Sequence, residues 1–437
     1  MKKHKVGLIS LGCEKNLVDS EMILGLCKSI DFEISTNLED VDIIIINTCG
    51  FITSAKEEAI NTIFESLDYQ ERGTKIVVTG CLAQRYLDDL KKLIPEVDLF
   101  IPIRDYPRFG ELLAELLNEK KYSNACLSMH NRLLSTPKHL AYLKISEGCN
   151  NNCAYCAIPL IRGKFVSREE EDIITEFKYL VSTGRKEICL ISQDLTKYGI
   201  DLPNTSLASL LLKLIKVPGD YKIRLLYLYP DEITDELIQV VKENDKILPY
   251  FDIPVQHGSD KILKWMGRRG SQEFITNLIE KIRKEIPECV IRTTLIVGFP
   301  HESEKDFEIL KKFITDNRFD HLGAFTYSKE EDTKAFSMNN QVPERIKQRR
   351  LDEIMEIQKW ISLSINKRYI DNTYDCIIEG YDEENDYYNA RGYMYAPDDI
   401  DGCILIKSDK PLEISKSYKC KIIDVDFFDM FGEIVED

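Results

Sequence analysis

The sequence predicts an α/β protein in three parts: an N-terminal parallel α/β domain, a central partial (βα)6 barrel and a small C-terminal antiparallel β-barrel or sandwich. Three observations predict it. The first 120 residues alternate strand-like and helix-like runs, which gives a parallel sheet covered by helices. A second series of the same kind opens at Ala141 and has six candidate strands. The last 67 residues change to short runs of alternating polarity rich in Tyr, Asp and Gly. A chain of 437 residues is long enough for such a division, because single cores stop growing below that size.

In the first part, KVGLIS (5–10) precedes a helical pattern over 16–28. DIIIIN (42–47) precedes a helix with Thr53 or Ser54 as its N-cap, and KIVVTG (75–80) precedes a helix over 84–93. Residues 121–136 lack periodicity and read as a connector. In the second part the strands are AYLKI (141–145), EICLIS (187–192), IRLLYL (223–228), PYFDI (249–253), VIRTTLI (290–296) and HLGAFTY (321–327). Helical runs separate them, including 167–183, and a charged helix over 343–367 closes the series. In the third part the runs are YDCIIEG (374–380), GCILIKS (402–408) and YKCKIIDVDFF (418–428). The predicted division is 1–120, a connector over 121–134, 135–365 and 366–437.

Charge and hydropathy narrow the function. The formal net charge is -16, of which residues 371–437 carry -12. A chain this acidic is unsuited to binding nucleic acid in bulk. No apolar run reaches the length of a membrane span; the longest, 41–47, is strand-sized. MKKHKVGLIS lacks the apolar core and cleavage site of a signal peptide, so a cytoplasmic protein is expected. No Ser–His–Asp arrangement or phosphate loop supports a hydrolase or kinase reading.

Cysteine carries the most information. There are 13, an odd number, which favours metal binding or catalysis over a disulfide framework. Cys27, Cys126, Cys189, Cys289, Cys376, Cys403 and Cys420 occur singly and read as small core hydrophobes. Cys149, Cys153 and Cys156, in ISEGCNNNCAYCAIP, form a C-x3-C-x2-C set directly after a strand. Three thiolates on one loop can hold three irons of a cubane cluster and leave the fourth open for a ligand. The alternative is a structural zinc loop, which would need a fourth ligand, and neither Cys nor His occurs in the twenty residues downstream. Cys13, Cys49 and Cys81 each follow a predicted strand and precede a helix. In an open parallel sheet those strand ends lie along one edge, where ligands bind and helix N-termini favour an anion. The alternative is three unrelated buried cysteines.

The C-x3-C-x2-C motif resembles that of the radical S-adenosylmethionine (SAM) superfamily, over about 135–365. The resemblance implies that the open iron binds SAM and that one electron cleaves it to a 5′-deoxyadenosyl radical. It implies Tyr155 near the adenine, and Ser192, Gln193 and the Gly298–Pro300 turn on the SAM side. The segments SLGCEKNLVDSE, NTCGFI, TGCLAQR, PVQHGSDKILKWMGRR and IVGFP further resemble the methylthiotransferases, essentially along the whole chain. That family resemblance implies a second [4Fe–4S] cluster on Cys13, Cys49 and Cys81 that presents the sulfur to be inserted, and a C-terminal domain of TRAM type. It also implies an electron donor such as flavodoxin or ferredoxin.

Some methylthiotransferases modify an adenosine of transfer RNA, whereas the RimO type methylthiolates the β-carbon of an aspartate in ribosomal protein S-twelve. NTCGFI, the His257 of PVQH and the APDDIDG run (396–402) resemble the RimO type. Glu14 stands where that type usually has Pro. The acidic C-terminal part agrees, since a basic ribosomal protein complements it and phosphates do not. A generic acidic surface is the alternative there, and a non-catalytic iron–sulfur sensor the alternative for the whole chain. His257 is read as a packing or hydrogen-bonding residue without a catalytic role. Arg268–Arg269 and Arg349–Arg350 are read as helix-face charges, with contact to substrate or SAM as the alternative.

Overall fold

The structure, a computed structural model, describes residues 3–435 apart from 123 and 399. In the N-terminal part, β1 (Lys5–Ser10), β2 (Glu33–Ile34), β3 (Ile43–Thr48), β4 (Lys75–Gly80) and β5 (Leu99–Pro102) form a parallel sheet in the order β2-β1-β3-β4-β5. The run of isoleucines in β3 is fully buried because both faces are covered. Ile43 and Ile45 pack with residues of α1 (Glu14–Ser29) and α5 (Phe109–Leu117). Ile44 and Ile46 pack with residues of α2 (Thr53–Leu67) and α4 (Leu87–Leu93). Between β4 and α4 lies the single turn α3 (Cys81–Arg85).

The sequence misplaced one cap. Ile52, not Thr53 or Ser54, occupies the N-cap of α2, and no side chain caps it. Thr53 Oγ1 donates instead to Glu330 of the central part, at 3.2 Å. The connector is also tightly held. Arg132 there is buried, donates to the carbonyl of Tyr142 at 2.9 Å and pairs with Glu176 at 2.8 Å.

The central part is an open sheet of six parallel strands, ordered β13-β12-β11-β10-β9-β6. Its members are β6 (Leu140–Lys144), β9 (Glu187–Ile191), β10 (Lys222–Leu225), β11 (Ile247–Asp252), β12 (Val290–Val297) and β13 (His321–Thr326). A two-strand ribbon, β7 (Ser146–Glu147) with β8 (Val166–Ser167), brackets the cysteine loop and the turn α6 (Ile158–Ile161). The covering helices are α7 (Glu170–Ser182), α8 (Leu207–Leu214), α9 (Asp235–Glu243), α10 (Asp260–Trp265), α11 (Gln272–Glu285), α12 (Glu304–Asn317) and α13 (Glu344–Asn366). Among the described residues no helix is long and apolar enough to cross a membrane.

The C-terminal part is a closed barrel of β14 (Thr373–Asp382), β15 (Tyr387–Arg391), β16 (Ile404–Ile406), β17 (Ser417–Val425) and β18 (Met430–Ile434). It is not wholly antiparallel: β16 and β18 pair in parallel. Five strands cannot alternate direction all the way round a closed ring, so one parallel pair is forced.

The barrel is not a loose appendage. Alternate residues of the central sheet, such as Leu143, Leu190 and Ile223, pack on the helices. Their neighbours Tyr142, Cys189, Ile191 and Tyr250 share a core with Met394, Tyr395, Ile404 and Ile422 of the C-terminal part. Polar pins cross the same interface. Tyr142 donates to Asp398, Tyr250 donates to Asp401, and Arg391 pairs with Glu187 at 2.7 Å. Asp398 and Asp401 belong to the APDDIDG run, whose Asp399 lies outside the described residues.

Candidate functional site

One cavity of about 350 Å³ is lined by all six predicted ligand cysteines. Cys13 is the N-cap of α1, Cys49 follows β3, and Cys81 opens α3 after β4. Because β1, β3 and β4 are neighbours in the sheet, their ends bring the three residues together. Gly12, at φ +89°, makes the approach possible: a Cβ there would lie 2.8 Å from the Cβ of Cys49.

The second set sits on the loop after β7. Gly148, at φ +76°, lets this loop cross residue 164, whose carbonyl oxygen would be 2.2 Å from an added Cβ. The backbone N–H of Cys149 donates to the carbonyl of Gly163 at 3.2 Å, and that of Ala154 to Met266 at 2.7 Å. Asn151 fixes the crown of the loop by donating to Asp194 Oδ2 at 2.6 Å.

Donors point at the sulfurs. The N–H groups of Asn151 and Ile158 approach Cys149 Sγ at 3.5 Å and Cys156 Sγ at 3.4 Å. Arg268 Nη1 lies 3.9 Å from Cys153 Sγ, with its guanidinium 3.7 Å above the Tyr229 ring. Arg162 Nη2 donates to Cys81 Sγ at 3.2 Å. Burial pushes the thiols of Cys49 and Cys149 up, and that of Cys81 up to about 12 against the opposing pull of Arg162. Such thiols stay protonated until a metal displaces the proton.

This donor set fits iron–sulfur clusters. Each set offers three sulfurs around a shared space, with N–H and guanidinium donors that stabilise thiolate charge. Among the described residues no three Cys, His, Asp or Glu side chains stand close enough together to hold a single metal ion. Gln193 also lines the cavity: its Nε2 donates to Glu147 at 2.6 Å, and its buried Oε1 is left without a partner.

The structure separates the other predicted residues. Tyr155 and Gln193 line the cavity. Ser192 and Gly298 are not among the lining residues. Ser192 is buried and its Oγ accepts the N–H of Asp194 at 3.0 Å, so it closes its own turn. Gly298, at φ +74°, lies against Lys347. Glu302 holds the turn it begins, accepting the N–H of Phe299 at 3.0 Å and pairing with Arg350 at 3.0 Å.

Two charge readings are corrected. Arg268 follows the alternative and not the helix-face reading: it lines the cavity between Cys153 and Tyr229. Arg350 is buried on Glu302, whereas its neighbour Arg349 is exposed as expected. His257 is buried, and its Nδ1 accepts the Ser259 N–H at 2.9 Å. Its Nε2 therefore carries the proton, 3.8 Å from Glu302, and burial pulls its pKa down to about 3. Among the single cysteines, Cys126 is exposed and Cys403 half-buried, unlike the five in the core. The sequence did not flag Arg162, Tyr227 or Tyr229, which reach the cavity from an unremarkable short helix and from the loop after β10.

Comparisons with known proteins follow the same three parts. Residues 5–102 match the family model described as uncharacterized protein family UPF0004, 143–314 match the radical SAM superfamily and 370–435 match the TRAM domain. The chain is 46% identical over 450 residues to the ribosomal protein uS12 methylthiotransferase RimO of Acetivibrio thermocellus, covering 100% of this chain and 99% of the relative. It is 48% identical over 447 residues to that of Clostridium kluyveri, with the same coverage. Among solved structures, the fold is similar to the radical SAM methyltransferase TsrM of Kitasatospora setae with cobalamin and a [4Fe-4S] cluster bound. That match has TM-score 0.58 and 11% identity and covers 76% of this chain and 77% of the other. The cobalamin-dependent radical enzyme OxsB matches at TM-score 0.53 and 14% identity, covering 82% and 56%.

Proposed function

The chain belongs to the RimO family of ribosomal protein uS12 methylthiotransferases, and from that premise we propose that it adds a methylthio group to the β-carbon of an aspartate in uS12. It is a sulfur-transferring enzyme of the radical SAM superfamily, which uses SAM and a [4Fe–4S] cluster. Cys149, Cys153 and Cys156 would hold that cluster, and Cys13, Cys49 and Cys81 a second. When bound, a cluster on Cys149, Cys153 and Cys156 would supply the electron for reductive cleavage of SAM, and one on Cys13, Cys49 and Cys81 would supply the methylated sulfur. The observation that carries this reading is the single cavity lined by both sets, which lets a substrate carbon meet both centres without leaving the site.

The chain's own residues have definable tasks. Tyr155 and Gln193 offer an aromatic face and an unpartnered amide oxygen to SAM. Arg268 and Asn151 hold the cysteine loop in shape. Glu330 ties the two domains round the cavity, accepting from Arg85 at 3.0 Å and Lys56 at 2.9 Å. Arg85 also donates to the carbonyl of Gly50, next to Cys49.

The working division is 1–120, 121–134, 135–365 and 366–437, the acidic last part receiving a basic protein. An electron donor of the flavodoxin or ferredoxin type and a cytoplasmic setting complete the proposal. Transfer RNA is not its substrate: the net charge of -12 over 371–437 repels phosphates. The test is anaerobic reconstitution with uS12 and transfer RNA side by side, followed by mass spectrometry of both. Methylthiolated aspartate in uS12 and unmodified adenosine are expected; the reverse pattern overturns the substrate assignment.

A further inference from the structure

Arg162 is a buried cation placed between the two cysteine sets. Its side chain is 2% exposed, yet it lines the cavity. Nη1 pairs with Asp19 at 2.5 Å and reaches Glu147 at 3.4 Å. Nη2 donates to Asn16 Oδ1 at 2.7 Å and to Cys81 Sγ at 3.2 Å. Lys144 joins the same acids, at 2.5 Å to Asp19 and 2.7 Å to Glu147. Two cations and two carboxylates thus balance, and the cluster could serve packing alone. Against that, a buried ion network is a poor source of stability compared with apolar packing. One donor of this network is also spent on a sulfur.

Hydrogen bonds and charge beside cluster sulfurs set the potential of an iron–sulfur centre. An added electron makes the centre one unit more negative, so a fixed cation raises its potential and a fixed anion lowers it. Guanidinium stays charged across the working pH range, so its influence does not titrate. We propose that Arg162 is a positioning residue that orients Cys81 and, balanced by Asp19, sets the reduction potential of the centre held by Cys13, Cys49 and Cys81. Its contact with Glu147, two residues before Cys149, joins that centre mechanically to the loop of the other set. The inference rests on the assignment of the second cluster made above.

The experiment separates the two. In the full chain carrying Cys149→Ala, Cys153→Ala and Cys156→Ala, only the N-terminal set can hold a cluster. Absence of reconstituted iron there overturns the second-cluster assignment and the inference with it. With iron present, the midpoint potential is measured by electron paramagnetic resonance during titration with titanium(III) citrate. Arg162→Gln should shift the reduction equilibrium about tenfold against the reduced form, which for one electron is about 59 mV more negative. Asp19→Asn, close to isosteric, should shift it the opposite way. If Arg162→Gln does not load iron, Arg162→Lys takes its place and should give a smaller negative shift. A purely structural role does not produce opposite signs. Unchanged potentials, or shifts of one sign in both positions, overturn the role of Arg162 while leaving the cluster assignment standing.

Discussion

Tyr227, in the loop after β10, donates its hydroxyl to Glu14 Oε2 at 2.7 Å, joining the central domain to the residue that follows Cys13. Lys15 lies over the same ring, 2.9 Å from its centroid. Tyr227 itself lines the cavity at φ +66°, a backbone conformation that costs free energy unless its surroundings hold it.

Tyr227→Phe should therefore cost about 1–2 kcal/mol, because it leaves a largely buried carboxylate with one partner fewer. It should lower methylthio transfer severalfold while SAM cleavage changes little. Glu14 is the first residue of α1, where Pro is tolerated, so Glu14→Pro should fold normally while losing the tie and the 3.8 Å pairing of Glu14 with Lys15. Denaturation curves and product assays check both; a fall in SAM cleavage equal to the fall in transfer would contradict this assignment.

Glu187 is one of the pH-sensitive groups of the interface between the central sheet and the barrel. Burial alone would push its carboxyl up, but Arg224 at 2.6 Å and Arg391 at 2.7 Å outweigh it and hold it down to about 2, from an ordinary 4.5. A depressed acid stabilises the fold above its unfolded pKa, and that stability is lost as pH falls from about 4.5 towards 2. The loss should be about 3 kcal/mol. Glu187→Gln should flatten the decline over that window, and at neutral pH should cost about 3–5 kcal/mol by stranding the arginines. Stability curves measured at several pH values decide it; parallel declines in the two proteins would rule Glu187 out.

The acidic surface is best tested at the turn after β14. Glu383 and Glu384 are exposed there. Asp382 accepts the N–H of Glu384 at 2.9 Å and Asp386 accepts the hydroxyl of Tyr381 at 2.7 Å, so those two hold the turn. Reversal at Glu383 and Glu384 alone should slow association with uS12 severalfold at low salt, with the difference shrinking as salt rises over a Debye length of about 8 Å. Stopped-flow association rates measure this. A salt-independent difference would point to shape instead of charge. Removing the whole barrel is a poor test, because it bares Tyr142, Tyr250 and their apolar neighbours.

The sequence carried the architecture because its signals are local. The all-isoleucine stretch of β3, the repeated strand–helix alternation and the closing helix α13 fall within a few residues of their predicted places. The meeting of the six cysteines at one cavity was legible for the same reason: Cys13, Cys49 and Cys81 each follow a strand of one parallel sheet, which gathers strand ends, and Cys149, Cys153 and Cys156 share one loop. What was hidden depends on pairing across distance. Arg162 and Arg268 look like ordinary charges until Cys81 and Cys153 are set beside them. The short β2 and β5 have too few residues for a period to register. The docking of the barrel on the sheet was invisible because Tyr142 and Asp398 are 256 residues apart.

The most direct test of the two-centre account compares two triple variants under anaerobic reconstitution with SAM and uS12. Cys13→Ala, Cys49→Ala and Cys81→Ala together should still make 5′-deoxyadenosine and give no methylthiolated uS12. Cys149→Ala, Cys153→Ala and Cys156→Ala together should keep about half the iron and make no 5′-deoxyadenosine. Quantified by mass spectrometry, undiminished methylthiolated uS12 from the first variant, or 5′-deoxyadenosine from the second, would contradict it.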